Sequence, residues 1–185
     1  MLLAILTVWI AGGFAKADVP GVPEVGLHTQ ITATPWLITV TDAVWVTSLP
    51  GAVVPDTKGD RLIVVAAQLE STATDVPFGW RHAVSLTGVP GLRDEKPMVA
   101  VRRDDATTIN DIGPGMPAKV LIVWEQDGSR PPPTSATFVA IGSTWRLDAF
   151  AQANAWLDPT PVAQVALSLR PLDASPSPSP TPVKP

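Results

Sequence analysis

Apolar residues recur at every second position of this sequence in short bursts, which is the period of β-strands with one buried face. The clearest burst is residues 35–46, PWLITVTDAVWV. Five large side chains at even-numbered positions are predicted to face the core, and Asp42 interrupts their alternation: Trp36, Ile38, Val40, Val44 and Val46. A second segment, residues 60–71 (DRLIVVAAQLES), is almost continuously apolar, which is typical of a central strand. Its predicted inner residues are Ile63, Val65, Ala67 and Leu69.

Further strands are predicted at 82–88, around 98–102, and at 118–126, 136–142 and 161–169, which makes seven or eight strands. Only residues 149–157 have the composition of a helical turn, which Pro159 would end. Because no long amphipathic helix is available to connect parallel strands, the sheets should be antiparallel. The predicted fold class is all-β: an immunoglobulin-like antiparallel β-sandwich of seven or eight strands, preceded by an N-terminal hydrophobic helix.

The composition excludes disulfides as the link between the two sheets and argues against one class of ligand. The chain has no Cys, so it lacks the inter-sheet disulfide of antibody domains and any Cys-ligated metal. It has 7 Trp and no Tyr, and we expect Trp36 and Trp124 to fill the core. The net charge is −4 and the 13 Lys and Arg residues form no long run, which argues against nucleic-acid binding.

The N-terminal run, residues 1–15 (MLLAILTVWIAGGFA), contains no charged side chain. As a helix it would be about 22 Å long, shorter than the roughly 30 Å hydrocarbon core of a membrane, which suits the apolar region of a signal peptide. Residues 15–17 fit a small-x-small cleavage site that would release a chain starting at Asp18. A cationic leading region is missing. Three alternatives therefore stay open for residues 1–17: a cleaved signal peptide, a retained membrane anchor and a buried hydrophobic arm.

Residues 17–57 contain no Lys or Arg, and flanks depleted in these residues are the translocated ones under the positive-inside rule. The sandwich, residues 18–173, should therefore face outward as a membrane-anchored or secreted domain. Residues 174–185, ASPSPSPTPVKP, cannot donate a regular strand ladder and are predicted to be a disordered Ser/Pro-rich tail. The tail is interpreted either as a spacer or stalk at the cell wall or as a solvated terminus.

Four segments carry a resemblance to a known family: WLITVTDAVW, DRLIVVAAQLES, the Pro-Gly turn and strand IGPGMPAKVLIVWEQ, and ATFVAIG. Together they resemble a family of bacterial immunoglobulin-like domains of secreted proteins and lipoproteins, and are similar to a secreted mycobacterial immunogenic protein. The resemblance covers roughly residues 26–169. It implies the sandwich fold and export, and it implies no particular reaction.

No motif for nucleophilic catalysis is present, since G-x-S-x-G does not occur and the only histidines are His28 and His82. Two isolated histidines also make no zinc site. The densest acidic segment, residues 102–111 (RRDDATTIND), offers hard oxygen ligands for calcium, or its acids pair with the adjacent Arg102 and Arg103. We favour the second interpretation and predict neither a metal nor a cofactor.

Two loops are candidates for contact with a partner. The first combines Phe78, Trp80 and Arg81, residue types that are enriched at interface hot spots. The second, residues 88–97 (GVPGLRDEKP), presents Leu92 and Arg93, and sandwich loops commonly carry binding residues. The alternative for the first loop is an aromatic side chain that folds back over the sheet edge.

These patterns predict a non-enzymatic extracytoplasmic accessory or binding module that presents a β-sandwich at the cell envelope. The predicted partner is an envelope protein or cell-wall material, with no nucleic acid. Residues 1–15 would add a membrane contact if they are not cleaved. Two other functions stay open: an envelope hydrolase with an unrecognised pair of carboxylates, and a purely structural spacer.

Overall fold

The computed structural model describes residues 21–74 and 79–172. These ranges contain nine β-strands and one short 3-10 turn, Trp80–His82. In chain order the strands are β1 (Gln30–Ala33), β2 (Trp36–Val46), β3 (Arg61–Ser71), β4 (Val84–Thr87), β5 (Val99–Arg102), β6 (Ala118–Gln126), β7 (Ser135–Asp148), β8 (Ala153–Ser168) and β9 (Arg170–Pro171). No helix within these ranges is long and apolar enough to span a bilayer. The predicted N-terminal helix and Ser/Pro-rich tail lie outside the described residues.

In the described part, the strands form two sheets that enclose a common core. The larger sheet has the order β1-β2-β3-β6-β5, with β9 paired to β2, and the smaller has the order β4-β7-β8. The paired strands are antiparallel, except that β9 runs parallel to β2. If β2 to β8 are lettered A to G in chain order, the larger sheet without β1 and β9 has the order ABED and the smaller sheet has the order CFG. This is the arrangement of a constant-type immunoglobulin domain. The prediction of an all-β immunoglobulin-like sandwich is confirmed.

A β-bulge in β2 changes which side chains face the core. The register of β2 against β3 shifts between Val40 and Asp42. Val40 and Ala43 both lie in the main core, whereas Val44 and Val46 point to the opposite face of the sheet. The prediction that a single parity of this strand faces one core is therefore wrong beyond Asp42, because an extra residue reverses the alternation of side chains.

The outer face of the larger sheet carries a second, smaller core. Its buried residues come from four strands and from the loop between β2 and β3: Val44, Val46, Val53, Leu62, Val64, Val101 and Val123. Backbone hydrogen bonds of 2.8 and 3.0 Å between Leu49 and Val53 fold that loop over the sheet. Strand β3 is therefore covered on both faces, which confirms the interpretation of residues 60–71 as a central strand.

The main core lies between the two sheets, and two tryptophans occupy it as predicted. Trp36 is 2% exposed and Trp124 is fully buried. The Trp124 ring meets Phe138 edge to face, with 6.4 Å between centroids, so a strand from each sheet contributes to this contact. Trp124 Nε1 donates a hydrogen bond of 2.8 Å to the backbone oxygen of Glu95, which satisfies the polar atom of the ring.

Residues 149–157 do not form the predicted helical turn. Residues 149–152 are a hairpin turn, and strand β8 begins directly after them, paired with the end of β7. Asp148 Oδ1 supports the turn by accepting hydrogen bonds from backbone N–H groups, the shorter of them 2.8 Å from Phe150 N. The local helix preference of Ala and Gln is weak, and cross-strand pairing overrides it.

Candidate functional site

The hairpin of β7 and β8 projects beyond the rest of the smaller sheet. Strand β4 pairs with β7 only as far as Ala140, whereas the pairing of β7 with β8 continues to Asp148 and Ala153. Residues 144–148 and 153–157, with the turn between them, form a two-stranded ribbon that we call the arm. No third strand of the described part pairs with the arm. Such a ribbon is marginally stable in water by itself, so its side-chain contacts decide its order.

The arm carries three of the seven large apolar side chains that are exposed among the described residues. Trp145 is 49% exposed, Leu147 is 60% exposed, and Phe150 in the turn is 101% exposed. Trp145 and Leu147 lie on the same face of the arm because they are two positions apart in a strand. A contiguous group of exposed apolar side chains commonly marks an interaction site.

Trp145 pairs directly across the arm with Trp156. The ring centroids are 5.1 Å apart and the ring planes are inclined by 50°. The two rings also line one side of a cleft of about 300 Å³, and residues 72–74 line the other. Since the described lining residues of this cleft are Thr, Ala and Trp, the cleft suits an uncharged group.

The base of the arm holds an ion pair. Arg146 donates to Asp158 from Nε at 2.6 Å and from Nη2 at 3.0 Å, which is a bidentate arrangement. The hydrogen bond from Arg146 holds the pKa of Asp158 below its usual value. With Asp148 at the turn, the arm and its base carry more acidic than basic side chains.

The first predicted contact loop is only partly a surface. Phe78 lies outside the described residues. Trp80 is 2% exposed, and its Nε1 donates a hydrogen bond of 3.3 Å to the backbone oxygen of Ile109. The prediction that Trp80 contacts a partner is therefore wrong, because its ring is part of the main core. Arg81 is exposed, with its guanidinium 5.7 Å from the Trp80 ring centroid, and it donates to the backbone oxygen of Met98.

The second predicted contact loop is tied into the fold. Leu92 is partly buried against the main core. Arg93 Nε donates to Asp60 Oδ2 at 2.7 Å, and Arg93 Nη2 lies 3.8 Å from Asp127 Oδ1. Asp60 Oδ1 in turn accepts a hydrogen bond of 3.0 Å from Gly128 N. These contacts join three loops, and a partner role for Leu92 and Arg93 stays a prediction.

Asp60 lies where these three loops meet and accepts hydrogen bonds from the other two. Its side chain is 4% exposed, whereas that of Arg93 is 45% exposed. The hydrogen bond from Arg93, followed by that from the backbone of Gly128, lowers the pKa of Asp60 below the ordinary value of 3.8. The charged carboxylate is thus the form that the fold stabilises.

The acidic segment 102–111 is organised by local hydrogen bonds. Asp105 Oδ1 accepts from Thr107 Oγ1 at 2.6 Å and from Thr107 N at 2.9 Å, and these bonds lower the pKa of Asp105. The described ranges contain no group of three or more His, Cys, Asp or Glu residues placed to hold a metal. Arg102 and Arg103 form no ion pair within those ranges, so the predicted pairing with their neighbouring acids is wrong as a direct contact, whereas the charge of Arg102 contributes to the lowered pKa of Asp105.

The sequence pattern does not predict the arm, because Ala and Gln in residues 149–157 favour a helical turn. A signal was present nonetheless. Trp145 and Trp156 lie at similar distances on either side of a turn that Asp148 begins, and this symmetry is what a hairpin with a cross-strand aromatic pair requires.

The protein is therefore a β-sandwich of immunoglobulin topology that carries the arm. No protein-family model matches the chain, and no curated protein matches it. Among solved structures, an uncharacterised β-sandwich protein from Clostridium difficile 630 is similar, with 12% sequence identity and a TM-score of 0.49. The similarity covers 83% of this chain and 97% of that chain.

Proposed function

We propose that this protein is a non-enzymatic binding module that works outside the cytoplasmic membrane and contacts a protein partner through the arm. The observation that carries the proposal is the exposure of Trp145, Leu147 and Phe150 on a hairpin that extends beyond the sandwich. Removing apolar surface from water is favourable by about 25 cal/mol per Å², so large exposed side chains gain most from burial in an interface. Trp in particular is enriched among the residues that dominate binding.

The chemistry of the arm favours a protein over an anionic lipid surface. Asp158 is paired with Arg146, so Asp148 leaves the arm with one negative charge and no free cation to attract an anionic bilayer. The outer edges of the arm also offer backbone N–H and C=O groups, to which an extended segment of a partner adds as a further strand. Trp145 and Trp156 would then contact side chains of the added strand.

Four carboxyl groups of the described residues accept hydrogen bonds that stabilise the sandwich and the arm. Among the residues that the structure describes, four carboxyl groups have a clearly displaced pKa, and all four are lowered by hydrogen bonds: Asp60, Asp105, Asp127 and Asp158. These groups are held as carboxylates by the fold.

The extracytoplasmic part of the proposal rests on the sequence. Residues 1–15 are uncharged and apolar, and residues 17–57 contain no Lys or Arg. Resemblance to exported immunoglobulin-like domains of bacteria supports the same location, and we propose membership of that family on this ground. Mass determination of the N-terminus after cell fractionation tests it. A chain starting at Asp18 in the medium indicates secretion, an intact chain in the membrane indicates anchoring, and a cytosolic chain contradicts the proposal.

The arm is tested with a photo-reactive residue at its tip. Phe150 is replaced by p-benzoylphenylalanine, the protein is irradiated with envelope material of the producing cells, and cross-linked proteins are identified by mass spectrometry. Each candidate partner is purified and its Kd for the wild-type protein is measured. We expect the triple substitution Trp145→Ser, Leu147→Ser and Phe150→Ser to raise that Kd about tenfold or more, because the main anchors are gone.

The chain supplies a matched control for this variant. Leu27, Val54 and Met116 are 42%, 68% and 66% exposed and lie outside the arm. Their triple replacement by Ser also removes three exposed apolar side chains, and we expect it to leave the Kd within about twofold. The proposal is refuted if the two triple variants bind the purified partner equally well, or if no cross-linked protein binds the wild type.

A further inference from the structure

A surface of different chemistry lies at the β5 edge of the larger sheet. A cleft of about 420 Å³ opens where β5 ends and β6 begins. Its lining consists of Arg102, Arg103, Asp104, Pro117, Ala118 and Lys119. Three cationic side chains and one carboxylate therefore share one depression, in a chain whose net charge is −4. The concentration of cations is local and does not reflect a basic protein.

The three cations form no ion pair with the acids of the described residues. Arg102, Arg103 and Lys119 are exposed, and within the described ranges they take part in no ion pair and donate no side-chain hydrogen bond. Asp105, an adjacent acid, accepts both of its hydrogen bonds from Thr107 at Oδ1. The charge of Arg102 makes only a minor contribution to the lowered pKa of Asp105.

The backbone holds the cleft in a defined shape. Arg103 N donates to Lys119 O at 3.0 Å, which places these two residues side by side on neighbouring chain segments. The turn after β5 is closed by a hydrogen bond of 2.8 Å from Arg102 N to Thr107 O and by one of 3.1 Å from Ala106 N to Arg102 O. Charges presented from a fixed frame lose less conformational freedom when they bind.

We propose that this cleft binds a phosphate monoester group. Its three cations and one carboxylate leave a surplus of two positive charges. A phosphate monoester carries about −1.5 to −2 at pH 7, which matches that surplus. The planar guanidinium of arginine pairs two N–H groups with two phosphate oxygens, and the lysine ammonium adds a point charge. A single carboxylate ligand would leave one cation uncompensated. This site is independent of the arm, which belongs to the smaller sheet.

The experiment is a titration of the full chain with inorganic phosphate near pH 7, followed by NMR of the backbone amides of residues 102–107 and 117–119. Sodium chloride of equal ionic strength is the reference titration. We expect saturable shifts at these amides with phosphate only. The double substitution Arg103→Gln and Lys119→Gln should raise the Kd about tenfold or more, because charge-assisted hydrogen bonds are lost.

Lys58→Gln with Lys96→Gln changes the net charge equally at exposed positions outside the cleft, and should leave the Kd within about twofold. Thermal unfolding confirms that both double variants fold. Vesicles of phosphatidic acid and of phosphatidylcholine identify the source of the phosphate. Cleft-dependent binding to phosphatidic acid vesicles assigns a lipid headgroup, and binding of free phosphate alone assigns a soluble ligand. The proposal is overturned if neither binds, or if the two double variants behave alike.

Discussion

The rings of Trp145 and Trp156 face each other across the arm, with centroids 5.1 Å apart and planes inclined by 50°. The two residues are direct partners in the register of β7 and β8, so the pair joins the two strands where no described third strand supports them. Aromatic pairs of this kind contribute about 0.5–1.5 kcal/mol beyond their buried area. The pair connects the two strands and still leaves Trp145 49% exposed.

Replacing Trp156 by Ala should loosen the arm without unfolding the sandwich, because the pair supports only the two strands of the arm. Hydrogen exchange of the amides of residues 144–148 should speed up about two- to tenfold, while the amides of β3 keep their protection. Leu147→Ala on the same face, where no ring partner is lost, should have a smaller effect. Unchanged exchange in the Trp156 variant would show that the pair does not order the arm.

The tryptophans of the core and of the arm should differ sharply in their effect on stability. Trp124→Ala removes a fully buried ring and should lower the free energy of unfolding by about 3–5 kcal/mol. Trp145→Ala removes a ring that is 49% exposed, and should cost about 1 kcal/mol or less. Urea denaturation followed by circular dichroism measures both. Similar costs for the two variants would contradict the burial that we describe.

The two faces of β3 should contribute comparably to stability. Leu62 lies in the outer core at 0% exposure, and Leu69 lies in the main core at 1% exposure. Each replacement by Ala should cost about 2–5 kcal/mol, since both remove a fully buried side chain. Chemical denaturation gives the two values. A cost below about 1 kcal/mol for Leu62→Ala alone would mean that the loop does not cover the outer face in solution.

Asp60 should make stability depend on pH in the acid range. Its folded-state pKa lies below 3.8, so the folded protein binds fewer protons than the unfolded chain between these two pKa values. The stabilisation is therefore present above about pH 4 and is lost as the pH falls through the folded pKa. Urea midpoints of wild type and Asp60→Asn should differ most at neutral pH and converge in acid. A difference that stays constant down to about pH 2.5 would rule out this linkage.

Gly128 is required by the close approach of two loops. A Cβ at this position would overlap the carbonyl oxygen of Gly59, so Gly128→Ala forces the loops apart. We expect a loss of about 1–3 kcal/mol in the free energy of unfolding. Gly21→Ala is the control, since a Cβ there has no atom of the described residues within 4 Å, and it should be neutral within about 0.5 kcal/mol. Equal stability of the two variants would disprove the contact.

Where a strand is regular, the sequence predicts which of its side chains face the core. The predicted inner residues of β3, which are Ile63, Val65, Ala67 and Leu69, all lie in the main core. The same alternation failed in β2, because a bulge depends on how β2 pairs with β3 and not on the local pattern. A loop residue, Trp80, shows the same dependence on the fold. Its aromatic and basic neighbours indicate a contact surface, whereas the fold buries its ring in the core.

The sequence by itself determined the all-β class, the central position of β3 and the core roles of Trp36 and Trp124, because a period of two and the apolar character of large side chains can be read locally. Only the tertiary structure decided where the two proposed binding surfaces lie. The arm depends on pairing between two strands. The cleft of Arg103 and Lys119 depends on a contact between segments separated in sequence. Such contacts are set by the packing of the whole chain, and no local pattern encodes them.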